Sequence, residues 1–115
     1  MKLVALAALV AAIAIPTALA RTTSNTLVGT VGPGFNISLT QGGRKVSKLK
    51  AGVYTIKVND KSNIHDFHLT GPGVKKTTSV AGIGTSTWKV TLKRGKYSYQ
   101  CDPHSASMFG GFTVT

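Results

Sequence analysis

A cysteine, a histidine and a methionine fall within eight residues near the end of the chain, in Cys101-Asp102-Pro103-His104-Ser105-Ala106-Ser107-Met108. Thiolate and thioether are soft donors suited to Cu(I), and imidazole serves both copper oxidation states. Cys101 is the only cysteine in the 115 residues, so no internal disulfide is available to it. The other histidines, His65 and His68, lie together upstream. Period-two alternation puts His65 on the face of Phe67 and Leu69, and His68 on the opposite face. Cys101 shares the inward face of Tyr97 and Tyr99 at a strand end, where Pro103 turns the chain. A loop of this length can return His104 and Met108 to the same point. Two His, one Cys and a weak Met make the donor set of an electron-transfer copper site, with Met108 the weak member.

Other uses of these residues stay open. Cys101 alone suits a small buried hydrophobe, and Met108 alone suits core filling. His65 alone suits a hydrogen-bonded core histidine. A Cys101–His104 nucleophile pair is the main chemical rival. Against it, no carboxylate or amide is evidently placed to orient His104, and Cys101 faces a core. Zinc fits less well, because structural zinc sites favour more Cys or His and rarely Met.

The elements that must position these groups read as strands. Phe35, Ile37 and Leu39 alternate with polar residues, as do Tyr54, Ile56 and Val58. The same holds for His65 to Leu69, for Trp88, Val90 and Leu92, and for Tyr97 to Cys101. Phe112 and Val114 close the chain. The breaks carry turn chemistry: Gly32-Pro33-Gly34, Gly42-Gly43, Asn59-Asp60, Gly71-Pro72-Gly73, Gly95 and Gly110-Gly111. Lys75 to Gly84 alternates weakly and includes a loop. This spacing predicts an all-β, antiparallel Greek-key sandwich of about seven to eight strands over residues 27–115.

Residues 1–20 read as an export signal. An apolar run follows Lys2, Pro16 interrupts it, and Ala18-Leu19-Ala20 is a small-residue cleavage pattern. An uncleaved membrane anchor is the competing reading of this run. Residues 21–26 form a short polar segment. The expected location is periplasmic or extracellular, where an unpaired thiol needs a ligand role or burial. After cleavage about 95 residues remain, enough for one core without staples.

Fourteen Lys and Arg face only Asp60, Asp66 and Asp102, with no Glu. Such a field attracts anionic partners. The basic residues are spread over strands and turns, without aromatic interleaving or a recognised motif, which excludes nucleic acid as the expected partner. Docking to a redox protein with an acidic surface is expected instead, with Lys75 and Lys76 the best candidates for the patch. A monomer is expected.

From Gly29 to Thr115 the chain resembles a cupredoxin of the plastocyanin, amicyanin and pseudoazurin kind. The motifs are Asn63-Ile64-His65-Asp66-Phe67 and Cys101-Asp102-Pro103-His104 with Met108. The resemblance implies one copper per chain, with His65, Cys101 and His104 as strong ligands and Met108 as a long axial one. It implies a one-electron carrier rather than an enzyme, with copper binding and delivery as the runner-up. It also implies that His104 reaches the surface through an apolar patch, for which Pro103, Ala106, Phe109 and Pro33 are candidates. Three features depart from the family pattern. Three residues separate His104 from Met108, Asp66 stands where Asn is usual, and Asp102 follows the cysteine. In the family the backbone N–H after the first histidine points at the cysteine sulfur, and that residue's side chain ties down the cysteine loop. An ionised Asp66 accepts hydrogen bonds but donates none. If Asp66 and Asp102 meet, like-charge repulsion raises the pKa of one, and its protonation should raise the copper potential.

Overall fold

The computed structural model describes residues 25–115, so the expected export signal lies outside the described residues. Among the described residues ten strands are formed: β1 Thr26–Val31, β2 Ile37–Gln41, β3 Arg44–Lys45, β4 Lys48–Leu49, β5 Gly52–Asp60, β6 His68–Gly71, β7 Val74–Thr77, β8 Gly84–Leu92, β9 Gly95–Gln100 and β10 Phe109–Val114. They make two five-stranded sheets, ordered β3-β2-β1-β5-β8 and β4-β10-β9-β6-β7. The out-of-sequence neighbours are the crossings expected of a Greek-key sandwich. The count exceeds the expected seven to eight because β3 and β4 are two-residue strands, too short to show a period.

Alternation becomes burial where strands are long. In β1, Leu27 and Val31 point inward, and in β5 so do Tyr54, Ile56 and Val58. From the second sheet come Leu69, Tyr97, Tyr99, Phe112 and Val114. Tyr97 stacks on Phe112 with ring centroids 5.1 Å apart, and Tyr99 on Phe67 at 5.3 Å. The buried Tyr97 hydroxyl accepts the Lys93 N–H at 2.9 Å and has the Pro72 carbonyl within 3.1 Å. Its polar end is therefore satisfied inside the sandwich.

Four expectations need correction. First, the sheets are mixed. β1 runs parallel to β5, and β10 parallel to β4. Side-chain alternation is blind to strand direction, and the β2–β4 excursion supplies the crossover that parallel pairing requires. Second, Gly110 and Gly111 are not a turn but lie in β10, opposite Tyr99 and Ser98. A Cβ at Gly110 would collide with the Tyr99 ring, so the glycine admits an aromatic rather than a bend. Third, Phe35 is not on an inward strand face but is 67% exposed. Gly32, at φ +74°, donates its N–H to the Asn36 carbonyl at 2.9 Å, and this turn takes up Phe35 before β2 begins. Fourth, His65 is not in a strand. Residues 61–67 pass from β5 in one sheet to β6 in the other, and His65, Asp66 and Phe67 are buried consecutively. A segment passing between two sheets has no outer face, so period two fails there.

Candidate metal centre

Two segments meet at one end of the sandwich. One is the 61–67 crossover, which brings His65. The other joins β9 to β10 and holds Cys101, His104 and Met108. Cys101 directly follows β9, and Asp102–His104 form a single 3₁₀ turn opened by Pro103. The backbone closes tightly. His104 N–H donates to the Cys101 carbonyl at 3.0 Å, and Met108 N–H to the His104 carbonyl at 2.8 Å. Cys101 N–H then donates to the Met108 carbonyl at 3.0 Å. Met108 is buried at the loop's end, and Phe109 resumes pairing opposite Gln100.

The donor atoms converge. His65 Nδ1 and His104 Nδ1 lie 3.1 Å apart, and Cys101 Sγ lies 3.6 Å from each. The point equidistant from the three is about 2.0 Å from each, the length of a metal–imidazole bond and slightly short for metal–thiolate. Among the described residues this trio is the only cluster of three or more His, Cys, Asp or Glu donors that could hold a metal ion. His65 and Cys101 are fully buried, while His104 is half-buried. Burial pushes the Cys101 thiol above its ordinary pKa, partly offset by the backbone N–H groups of Asp66 and His104, which donate to the sulfur. The Asp66 N–H thus stands where the resemblance implied.

Beside the trio, Asp66 and Asp102 do meet. Asp66 Oδ1 accepts the Asp102 N–H at 2.6 Å, tying the crossover to the cysteine loop. Thr77 Oγ1 donates to Asp66 Oδ2 at 3.4 Å. Burial, then the Asp102 carboxylate, hold Asp66 above its ordinary pKa, with the Asp102 N–H opposing. Asp102 is held low instead, by the Gln100 side-chain amide at 2.9 Å and by His68 Nδ1 at 3.0 Å. His68 therefore faces away from the trio and serves Asp102.

The structure brings three of the four sequence-predicted donors to one point and buries Met108 in the same loop. Pro33, Pro103, Ala106 and Phe109 are all exposed, as a surface patch requires. Sequence reasoning missed Phe35. Its ring stands edge-on to His65 at a centroid distance of 5.2 Å and to His104 at 5.0 Å. The Gly32-Pro33-Gly34 turn just before it was the available signal. Gln100 was missed too, because a polar residue at a strand end carries no pattern.

A family model for copper-binding proteins of the plastocyanin/azurin family matches residues 10–115. Among solved structures, the chain is similar to reduced rusticyanin at 20% identity, with a TM-score of 0.59 and 78% of each chain covered. It is also similar to rusticyanin from Thiobacillus ferrooxidans at 22% identity and a TM-score of 0.57, covering 78% of this chain and 76% of that one. No curated protein sequence matches.

Proposed function

The chain belongs to the copper-binding plastocyanin/azurin family, and from that premise we propose that it is an exported one-electron carrier whose single copper is held by His65, Cys101, His104 and Met108. The observation that carries the reading is the triangle of two imidazole nitrogens and one sulfur, with sides of 3.1, 3.6 and 3.6 Å. Copper held there supplies a Cu(I)/Cu(II) couple that exchanges one electron without bond making or breaking in a substrate. The protein's own groups keep the ligand positions fixed across both states. The hydrogen-bonded 101–108 loop holds Cys101 and His104 in register, and the Asp66–Asp102 bond ties His65's segment to that loop. N–H groups on the sulfur stabilise the thiolate. Buried Cys101, His65 and Met108 leave His104, with Phe35 beside it, as the route to the surface. Retention of one metal in a closed loop supports a carrier over a delivery protein.

Docking to an acidic surface of a redox partner fits the charge distribution. Asp60 and Asp66 are buried, and Asp102 is bonded to His68 and Gln100. Among the described residues no Lys or Arg lies within ion-pair distance of a carboxylate. The surface field is therefore uncompensated. Lys75, Lys76, Lys89 and Lys93 line one hollow of about 300 Å³ between β7 and β8, which extends the patch expected at Lys75 and Lys76. The protein acts as a monomer in the periplasm or outside the cell.

Adding Cu(II) to purified protein and recording the visible spectrum tests the copper assignment. An intense thiolate-to-copper band is expected. Cys101→Ala should abolish it and His68→Ala should keep it. A colourless wild-type protein would falsify the assignment.

A further inference from the structure

His65 presents a problem that its neighbours do not solve by hydrogen bonding. A histidine that holds a metal through one ring nitrogen usually donates from the other to a carbonyl or carboxylate, which fixes the ring's orientation. His65 turns Nδ1 toward Cys101 and His104, while its Nε2 is buried with no hydrogen-bond partner. The ring is also fully buried. Something else must hold it in plane.

The packing identifies what does. Phe35 lies edge-on to His65, with an interplanar angle of 70°, and edge-on to His104, with an angle of 86°. The two imidazoles are themselves edge-on, at 4.8 Å and 75°. Three rings thus interlock, each blocking rotation of the other two. The backbone behind Phe35 is tied to the same place. A Cβ at Gly32 would sit 2.9 Å from Ser62 Cβ and 3.4 Å from His65 Cδ2, so the 32–36 turn lies directly against the His65 segment. Solvent exclusion alone does not explain a phenyl ring that stays 67% exposed. Edge-to-face contact is directional, with the positive ring edge meeting a negative ring face, and it operates at an exposed site.

We propose that Phe35 is a positioning residue for the copper site, orienting the His65 and His104 rings where a hydrogen bond to the outer nitrogen of His65 is missing. The inference rests on the copper reading for its purpose, but the orienting contact exists in the metal-free protein and is measurable there. It also makes Phe35 part of the surface that a partner meets first, since the ring is 67% exposed beside the half-buried His104.

The test compares wild type with Phe35→Ala, Phe35→Leu and Phe35→Tyr. In the metal-free protein, NMR signals of the His65 and His104 ring protons should be sharp and widely shifted in wild type. They should broaden and move toward free-imidazole positions in the Ala and Leu variants and recover in the Tyr variant. In the copper-loaded protein, release to a chelator should be about tenfold faster for Ala and Leu, as two lost edge contacts imply. The visible band should shift, and Tyr should restore both readouts. Wild-type ring signals and release rates in the Ala variant would overturn the proposal. So would full recovery in the Leu variant, which would make Phe35 an apolar cover and nothing more. If the Ala variant does not fold, the Leu–Tyr contrast decides alone. If wild type takes up no copper, the copper reading fails, and the metal-free spectra still decide the positioning role.

Discussion

Replacing Asp66 by Asn isolates the charge that sets this centre apart from the usual family pattern. Asp66 is 3% exposed, and its Oδ1 accepts the Asp102 N–H at 2.6 Å. An Asn carbonyl keeps that acceptor, and its amide can donate to the Asp102 carboxylate or to Thr77 Oγ1. The exchange turns a charge-assisted bond worth about 2 kcal/mol into a neutral one worth about 1 kcal/mol. Against that loss of about 1 kcal/mol, it removes a buried charge facing a second carboxylate, which returns about 2 kcal/mol. The net expectation for the metal-free protein at neutral pH is a gain of about 1 kcal/mol. For a domain of this size that is a rise of about 4–8 °C in Tm. The pH dependence has a definite sign. Burial and Asp102 raise the Asp66 pKa above 3.8, so ionising Asp66 opposes folding at neutral pH. That handicap fades as pH falls through the raised value and is gone once the unfolded chain protonates as well. The advantage of Asn should therefore be largest near pH 7 and shrink toward pH 4. Asp102 has the opposite linkage, lost as pH falls below its ordinary value, but it is present in both proteins and largely cancels in the difference. Urea denaturation of the two metal-free proteins across this range is the assay. A gain that does not change with pH, or an Asn variant less stable than its parent at pH 7, refutes the reasoning.

Three further outcomes follow from the same geometry. In metal-free folded protein, Cys101 should react with iodoacetamide at pH 8 at least about 100-fold more slowly than in urea-unfolded chain, because it is buried and its thiol pKa is raised; comparable rates would contradict this. Gly110→Ala should cost about 1–3 kcal/mol, read from the urea midpoint, because the new Cβ meets a Tyr99 ring already stacked on Phe67; a neutral effect would mean that the ring moves freely. Copper should raise the thermal midpoint of wild type and leave Cys101→Ala nearly unmoved, with proton release on loading because the thiol must ionise; equal shifts in both proteins would place the metal elsewhere.

The centre was legible because its residues are rare and close in sequence. One cysteine and one late methionine around His104 leave few arrangements, and inward parity pointed to His65, which lies beside Cys101 and His104, over His68, which pairs with Asp102. Parity is not the cause of that placement. His65 is buried because its segment crosses between sheets, not because it alternates in a strand, and the same crossing buried Asp66, which parity had turned outward. Parity also misread Phe35, since a turn closed by the Gly32 N–H decides where β2 begins. The parallel pairing of β1 with β5 left no trace in side-chain pattern, because direction is set by chain connection. The glycines of β10 looked like punctuation until the Tyr99 ring against Gly110 and the Tyr97 carbonyl against Gly111 showed where the space was needed.

One sheet is edged by β3 and β8, and the other by β4 and β7. Such terminal strands carry unpaired backbone groups and invite another copy to add itself. Here Arg44 and Lys45 in β3, Lys48 in β4, Lys75 and Lys76 in β7 and Lys89 in β8 stand along them. A second copy approaching edge to edge brings the same charge to the contact, so crowding raises repulsion where aggregation would begin. An acidic chain meets no such barrier. On the docking reading proposed above, the borders of the sandwich would act as a charge filter, rejecting self and admitting its opposite. Added salt, which shortens the reach of these charges to about 10 Å at 0.1 M, loosens both controls together.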